Sequence, residues 1–340
     1  MNTFAIPVWP YAYGGPSGIG AIRTYPDDFI VEESLPFEPS GDGEHVFLSI
    51  RKIGENTDYV ARQLARFAGV RQRDVGYAGL KDRHAVTTQW FSVWLPGKDE
   101  PDWSVFTSDS IQILSAKRHA RKLKKGVLAG NRFQLTIRDW RGDRERLDRQ
   151  LNRIKSNGVP NYFGEQRFGN EGRNVEKALA MFDGAKVKRE QRSLYYSTAR
   201  AFLFNHILAL RVERGDWHRP IDGDAMIFDR AHSFFKMDPT DETLPTRTES
   251  GDIHPSGMLW GSGESAVSGE AALLEKAVID RFDKLARALV DANLESARRA
   301  LRVNVPDLHW QFDCDDRLQL FFTLPAGSFA TAVLREIIET

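Results

Sequence analysis

Val75–Trp90 reads VGYAGLKDRHAVTTQW and is the densest concentration of reactive side chains in the chain. Lys81, Asp82, Arg83 and His84 set one carboxylate among basic groups, directly after Gly76, Ala78 and Gly79. Small residues let a backbone bend tightly and approach a ligand closely. Nearby cations favour the charged form of a carboxylate, the form a nucleophile or general base needs, and the same cations can meet phosphates. A solvated charged turn leading into a strand fits these residue types equally well, and the types alone leave both open. A metal-hydrolase reading of Asp82 and His84 lacks ligands, because His119, His206 and His232 are scattered and no HExxH is present. Cys314 is the single cysteine, so no intramolecular disulfide and no cysteine zinc knuckle can form. Asp313 and Asp315 beside it disfavour a thiolate nucleophile.

Other segments suit an RNA ligand. Lys117–Lys125 reads KRHARKLKK: Lys117, Arg118, Arg121, Lys122, Lys124 and Lys125, with His119 and no acid. Such a run can track a phosphate backbone, or simply be the solvated end of a strand. Asn131-Arg132-Phe133 opens a strand after Gly130; Phe133 could be core, or could stack on a base taken out of its helix. Pro160–Gly169 reads PNYFGEQRFG, whose aromatics, Asn161, Gln166 and Arg167 suit either an RNA-contact loop or a structured hinge. In Pro325–Glu336, PAGSFATAVLRE, Ser328 is a good N-cap, and a helix start behind Gly327 can receive an anion. Phe329 there is either a core plug or a lid on a planar ligand.

The elements that must hold these residues follow from periodicity. Alternation predicts strands over Gly20–Tyr25, Phe29–Glu33, His45–Ile53, Val86–Leu95, Ile111–Ala116 and Arg132–Ile137. Helical spacing predicts a helix after Thr57, with Val60, Leu64 and Phe67 on one side, and another over Arg141–Asn157. Beyond a loop at Val159–Gly172, helices are expected at Asn174–Phe182, Glu190–Arg214 and Gly269–Val290, around an irregular Trp217–Ser268. Strands return at Arg299–Val305, Leu308–Asp313 and Leu318–Leu324, before a helix over Phe329–Ile338. Strand-rich, helix-rich, strand-rich is the order of an α+β sheet domain built from both chain ends, with a helical domain inserted between about 156 and 300.

The composition sets outer limits. With 340 residues, 41% hydrophobic and 28% charged, the chain suits a two-domain globular protein. Its 47 basic and 47 acidic residues cancel, which leaves local basic clusters free to serve a nucleic acid. The first twenty residues lack a basic, apolar leader and no run reaches the length of a transmembrane helix, so the cytoplasm is the expected compartment.

GYAGLKDRHAVTTQW, GNRF, VPNYFGEQRFG and LPAGSFATAVLRE, in this order and spacing, resemble the TruD family of tRNA pseudouridine synthases. DDFIVEE near the start and FEPSGDGEHVFL after it extend the likeness over essentially the whole chain. The resemblance implies a pseudouridine synthase mixed-sheet catalytic domain, residues 1–155 plus 301–340, and a largely helical TruD-specific insert at 156–300. It implies tRNA as substrate, modified at position 13, and no cofactor or metal; a monomer is expected. Asp82 matches the catalytic aspartate, and Arg23 the basic residue that pairs with it, where close relatives carry Lys. Phe133 matches the ring that stacks on the target base, Asn131 lines the site, and Phe329 packs against the uridine pocket. Lys81 and His84 are expected at the substrate, and Arg167 with the Lys117–Lys125 run along the RNA backbone. A non-catalytic RNA-binding protein on the same fold is the principal rival.

Overall fold

The computed structural model describes residues 4–339. The chain divides into two compact units. One comprises Gly18–Asp143 with Val305–Gly327; the other comprises the segment up to Ser17, Arg144–Asn304 and Ser328–Ile338. The breaks fall after Ser17, before the Arg144–Asn157 helix, after Asn304 and after Gly327, whereas the sequence places only two, near 156 and 300, with both chain ends in the sheet domain.

The unit that bears Asp82 is built on a mixed sheet. Its strands follow the order His309–Cys314, Arg317–Pro325, Gly130–Gly142, Phe29–Ser34, Val86–Trp94, His45–Ile53 and Ile111–His119. Gly18–Ile22 adds to the Gly130–Gly142 strand, and Val75–Tyr77 adds to Val86–Trp94. Neighbours in this order run antiparallel, except that Phe29–Ser34 runs parallel to Val86–Trp94, with Ile30 opposite Val86. That register sets the start of one strand beside the end of the loop holding Asp82. Period-two alternation puts Val46, Leu48 and Ile50 on one face, where they meet Val60, Ala61 and Leu64 of the Thr57–Phe67 helix in a closed core.

Two local expectations shift here. The first strand ends at Ile22, because Arg23 takes a left-handed backbone (φ 57°) that no strand continues. The Gly130–Gly142 strand runs on past Ile137, so the next helix starts at Arg144 rather than Arg141.

In the other unit the Arg189–Arg214 helix is the axis, with Phe202, Leu203, Phe204, Ile207 and Leu208 all buried. Against it pack the helices Arg173–Phe182, Gly269–Arg281 and Asp283–Asp291. The expected single helix over Gly269–Val290 is broken at Phe282, which leaves helical geometry (φ −117°, ψ 35°) and plugs the core. Trp217–Ser268 is not irregular throughout. It supplies the strands Ala225–Phe228, Phe234–Lys236 and Ile253–Leu259, which join Ala297–Ala300 in a four-stranded sheet. Ser328 does not cap the last helix: Phe329 is its N-cap, in extended geometry, and no side chain supplies a cap hydrogen bond. No helix among the described residues is long and apolar enough to cross a membrane.

Candidate active site

Asp82 sits on the loop between the Val75–Tyr77 and Val86–Trp94 strands, its side chain 45% exposed. Loop position is set by a buried polar network. Gln89 on the following strand donates its amide to the Gly79 carbonyl (2.6 Å). The Thr57 hydroxyl donates to Gln89 Oε1 (3.0 Å) and accepts the Lys81 backbone N–H (3.0 Å). Thr57, the first residue of its helix, is therefore a brace between helix and loop. Lys52, fully buried at the end of its strand, donates to the carbonyls of Glu55 (2.7 Å) and of Asp82 itself (3.3 Å). Arg83 donates Nε–H to the Gly54 carbonyl (3.1 Å).

Arg23 reaches the carboxylate from another strand end, with Nη2 to Asp82 Oδ2 at 2.9 Å. Its guanidinium lies 4.1 Å over the Phe29 ring, and its buried Nε has no hydrogen-bond partner among the described residues. A half-exposed ion pair contributes only about 0–1 kcal/mol to stability. A non-glycine residue in the left-handed region costs on the order of 1 kcal/mol or more. Folding stability does not account for this arrangement; holding a cation on Asp82 does.

From Arg23 an aromatic series continues on the same sheet face. Phe29 stands at 80° to Phe133, centroids 6.2 Å apart, and Phe133 stacks on Phe322 at 5.2 Å. Phe133 is 6% exposed. A base can stack only on the ring face that Phe322 leaves. Two positions back on that strand, Asn131 is buried and its Oδ1 has no partner among the described residues. A buried acceptor left unpaired costs roughly 1–3 kcal/mol, so a donor on a ligand would satisfy it.

The remaining predicted residues fall into separate settings. Lys81 is not turned to solvent: its ammonium pairs with the fully buried carboxylate of Glu33, whose other oxygen accepts the Trp90 N–H (2.9 Å). His84 is exposed. Lys117 faces Glu38 at 3.8 Å, and Arg118 pairs with Glu100 at 2.9 Å. Arg121, Lys124 and Lys125 are exposed and have no acidic partner among the described residues. Lys122, Lys124 and Lys125 line a cavity of about 600 Å³ with Arg73, Gln72 and Tyr77. Lys122 donates to the Arg73 carbonyl. This cavity is tied to the Asp82 loop, because the Gly126 N–H donates to the Ala78 carbonyl (2.7 Å). A Cβ on Gly76 would stand 2.3 Å from the Leu123 carbonyl oxygen, so only glycine permits that approach. Cys314 is exposed and donates to Asp316, which raises its thiol pKa and makes it a poor nucleophile.

Phe329 and Arg167 belong to the other unit. There Arg167 is half-buried, donates to the Ser197 hydroxyl (3.0 Å) and lies 5.6 Å over Phe163. Phe163 is pinned through its backbone by both polar atoms of the Asn205 amide (2.9 Å each). A Cβ on Gly164 would stand 3.0 Å from the Thr331 hydroxyl, so the PNYFGEQRFG loop passes close to the last helix.

The family model described as tRNA pseudouridine synthase D (TruD) matches residues 8–184 and 170–337. The chain belongs to the TruD family. The tRNA pseudouridine synthase D of Methylococcus capsulatus is 51% identical, over 97% of this chain and 94% of its own length. That of Nitrosococcus oceani is 49% identical over the same shares. In fold, this TruD chain is similar to the crystal structure of a putative TruD from Methanosarcina mazei. The TM-score is 0.73 at 22% identity, over 98% of this chain and 96% of that one.

Sequence reasoning missed Lys52, Glu33, Thr57 and Gln89 as parts of the site. Lys52 carried a usable signal: it continues the Val46, Leu48, Ile50 alternation onto the core face, where a lysine is out of place.

Proposed function

We propose that this chain isomerises uridine to pseudouridine in tRNA, with Asp82 as the carboxylate that engages the ribose. Family membership makes it a tRNA pseudouridine synthase, an isomerase. The geometry that best supports Asp82 is its half-exposed carboxylate, held at 2.9 Å by Arg23 at the head of the Phe29–Phe133–Phe322 series.

Uridine and pseudouridine have the same formula. The C1′–N1 bond breaks, a C1′–C5 bond forms, C5 loses its proton and N1 gains one. No oxidant, reductant or co-substrate enters this balance, and no cofactor is part of the proposal. The uridine must first leave its stack to be reached. An anionic Asp82 then either attacks C1′ or removes the 2′ proton to give a glycal, and both routes use the cation of Arg23. Asn131 Oδ1 is an acceptor for the uracil N3–H. Phe133 holds the detached base and keeps water from the intermediate. Lys81 acts through Glu33 on the loop, His84 at the substrate, and Arg167 with Arg121, Lys122, Lys124 and Lys125 on the RNA backbone.

Modification at position 13, a monomeric state and a cytoplasmic location belong to the same proposal. So does the assignment of residues 1–155 plus 301–340 as the catalytic domain around a 156–300 insert. Tritium release from tRNA carrying [5-³H]uridine, without added metal or cofactor, tests the chemistry. Release matched mole for mole by pseudouridine is expected; tight tRNA binding with no release would favour a binding module instead.

A further inference from the structure

Lys52 is the one fully buried lysine among the described residues. Its stem completes the apolar face of Val46, Leu48 and Ile50, all without exposed surface. An aliphatic residue would fill that space without taking a charge out of water. What the ammonium adds is a pair of contacts, to the carbonyl of Glu55 at 2.7 Å and to the carbonyl of Asp82 at 3.3 Å. No carboxylate among the described residues pairs with it directly. Buried cations are retained only where their donors find acceptors, and here one of the two acceptors is the backbone of the candidate catalytic residue. Arg83 Nε binds Gly54 (3.1 Å), so two cations tie the Asp82 loop to the turn after the His45–Ile53 strand.

We propose that Lys52 is a positioning residue: its buried ammonium holds the peptide of Asp82 and so fixes where the carboxylate meets the ribose. The inference rests on the reading of Asp82 given above. It goes beyond the Arg23 contact, which acts on the carboxylate from the open side, by assigning a second cation behind the loop.

The position has a consequence for pH. Burial, and next the Lys81 cation, push the Lys52 ammonium down to about 8, against the opposing pull of Asp82, Glu33 and Glu55. These four are the charged groups that face it, from the loop, the Phe29–Ser34 strand and the 54–56 turn. Below about pH 8 the ammonium is charged and holds the loop; above it, the neutral amine binds two carbonyls less strongly. The rate of isomerisation should therefore fall on the alkaline side of about 8, while tRNA affinity, set elsewhere, does not.

The test is single-turnover pseudouridine formation in tRNA by wild type, Lys52→Met and Asp82→Asn, between about pH 6.5 and 9.5, with tRNA affinity measured in parallel. Wild type is expected to lose rate with a midpoint near 8. Lys52→Met is expected to be slower at neutral pH by about 10–100-fold, the scale of a misplaced catalytic group, with unchanged affinity and no alkaline fall. A Lys52→Met enzyme that keeps the wild-type rate, or keeps the alkaline fall, overturns the proposal. Should that variant not fold, the wild-type profile decides: a flat rate across the range overturns the proposal, and a fall near 8 with constant affinity upholds it. Activity in Asp82→Asn would overturn the reading of Asp82 instead, and this inference with it.

Discussion

Arg23 and Asp82 differ in what they contribute, and substitution should separate them. Arg23→Ala leaves Asp82 without its 2.9 Å partner and takes the guanidinium from the Phe29 face. We expect kcat to fall by roughly 10–100-fold, with KM for tRNA nearly unchanged, as for an interaction made in the transition state. Arg23→Lys should recover part of that loss, since a lysine restores the charge but not the stacking. Steady-state kinetics on one tRNA substrate checks both. Asn131→Ala removes the unpaired buried acceptor. It should hold or raise stability to urea while lowering activity; a loss of stability would mean that Oδ1 has a structural partner. At this scale the sequence was informative where motifs were dense. Asp82, Arg23, Asn131 and Phe133 were all singled out, and the structure gathers them into one unit. Lys81 was legible as a cation but not as the partner of Glu33, because a cross-strand pairing depends on the parallel register of Phe29–Ser34 with Val86–Trp94, which no local pattern encodes.

The Asp82 loop is held where its own Lys81 and Arg83 meet partners on neighbouring elements. Glu33, on a strand, neutralises Lys81 in a pair with side-chain exposures of 0% and 10%. Glu33→Gln leaves a buried ammonium without its counter-charge and should destabilise the protein by about 3–5 kcal/mol, measured as a lower urea midpoint. Strand and helix positions of this kind were partly readable. His45–Ile53 was bounded as found, because its alternation is regular and its ends are marked. The Ile22 stop was not, since a left-handed Arg23 goes against local propensity and is imposed by tertiary contacts. The three strands within Trp217–Ser268 are short and interrupted by glycine, proline and acidic turns, so their period-two signal never ran long enough to read. The break at Phe282 was hidden because an apolar residue fits either a continuous helix or a plug between two.

For the whole molecule, a zero net charge conceals an uneven surface. Lys117 and Arg118 have Glu38 and Glu100 at hand, whereas Lys124 and Lys125 line a basic cavity without acidic partners among the described residues. Lys124→Glu with Lys125→Glu should weaken tRNA binding and reduce the slope of log affinity against log salt by about 1–2. The same reversal at Lys117 should do less, and filter binding across salt concentrations distinguishes the two. Equal effects at both places would mean that the strip works as a diffuse field and not through the cavity. The order of strand-rich and helix-rich stretches suggests a sheet domain with one insert, whereas the packing also gives the segment up to Ser17 and Ser328–Ile338 to the unit that holds Arg144–Asn304. The limits set by packing were not legible, because the Arg144–Asn157 helix belongs to the unit it packs on and not to the strand it follows.

We propose that Asp82 carries the isomerisation of a tRNA uridine. The most direct test is to incubate purified wild type and Asp82→Asn with unmodified tRNA, in the absence of metal and cofactor, and map pseudouridine at nucleotide resolution. One modified site is expected with wild type, none with Asp82→Asn, and similar tRNA affinity for both. Pseudouridine made by Asp82→Asn at a rate near that of wild type would contradict the proposal.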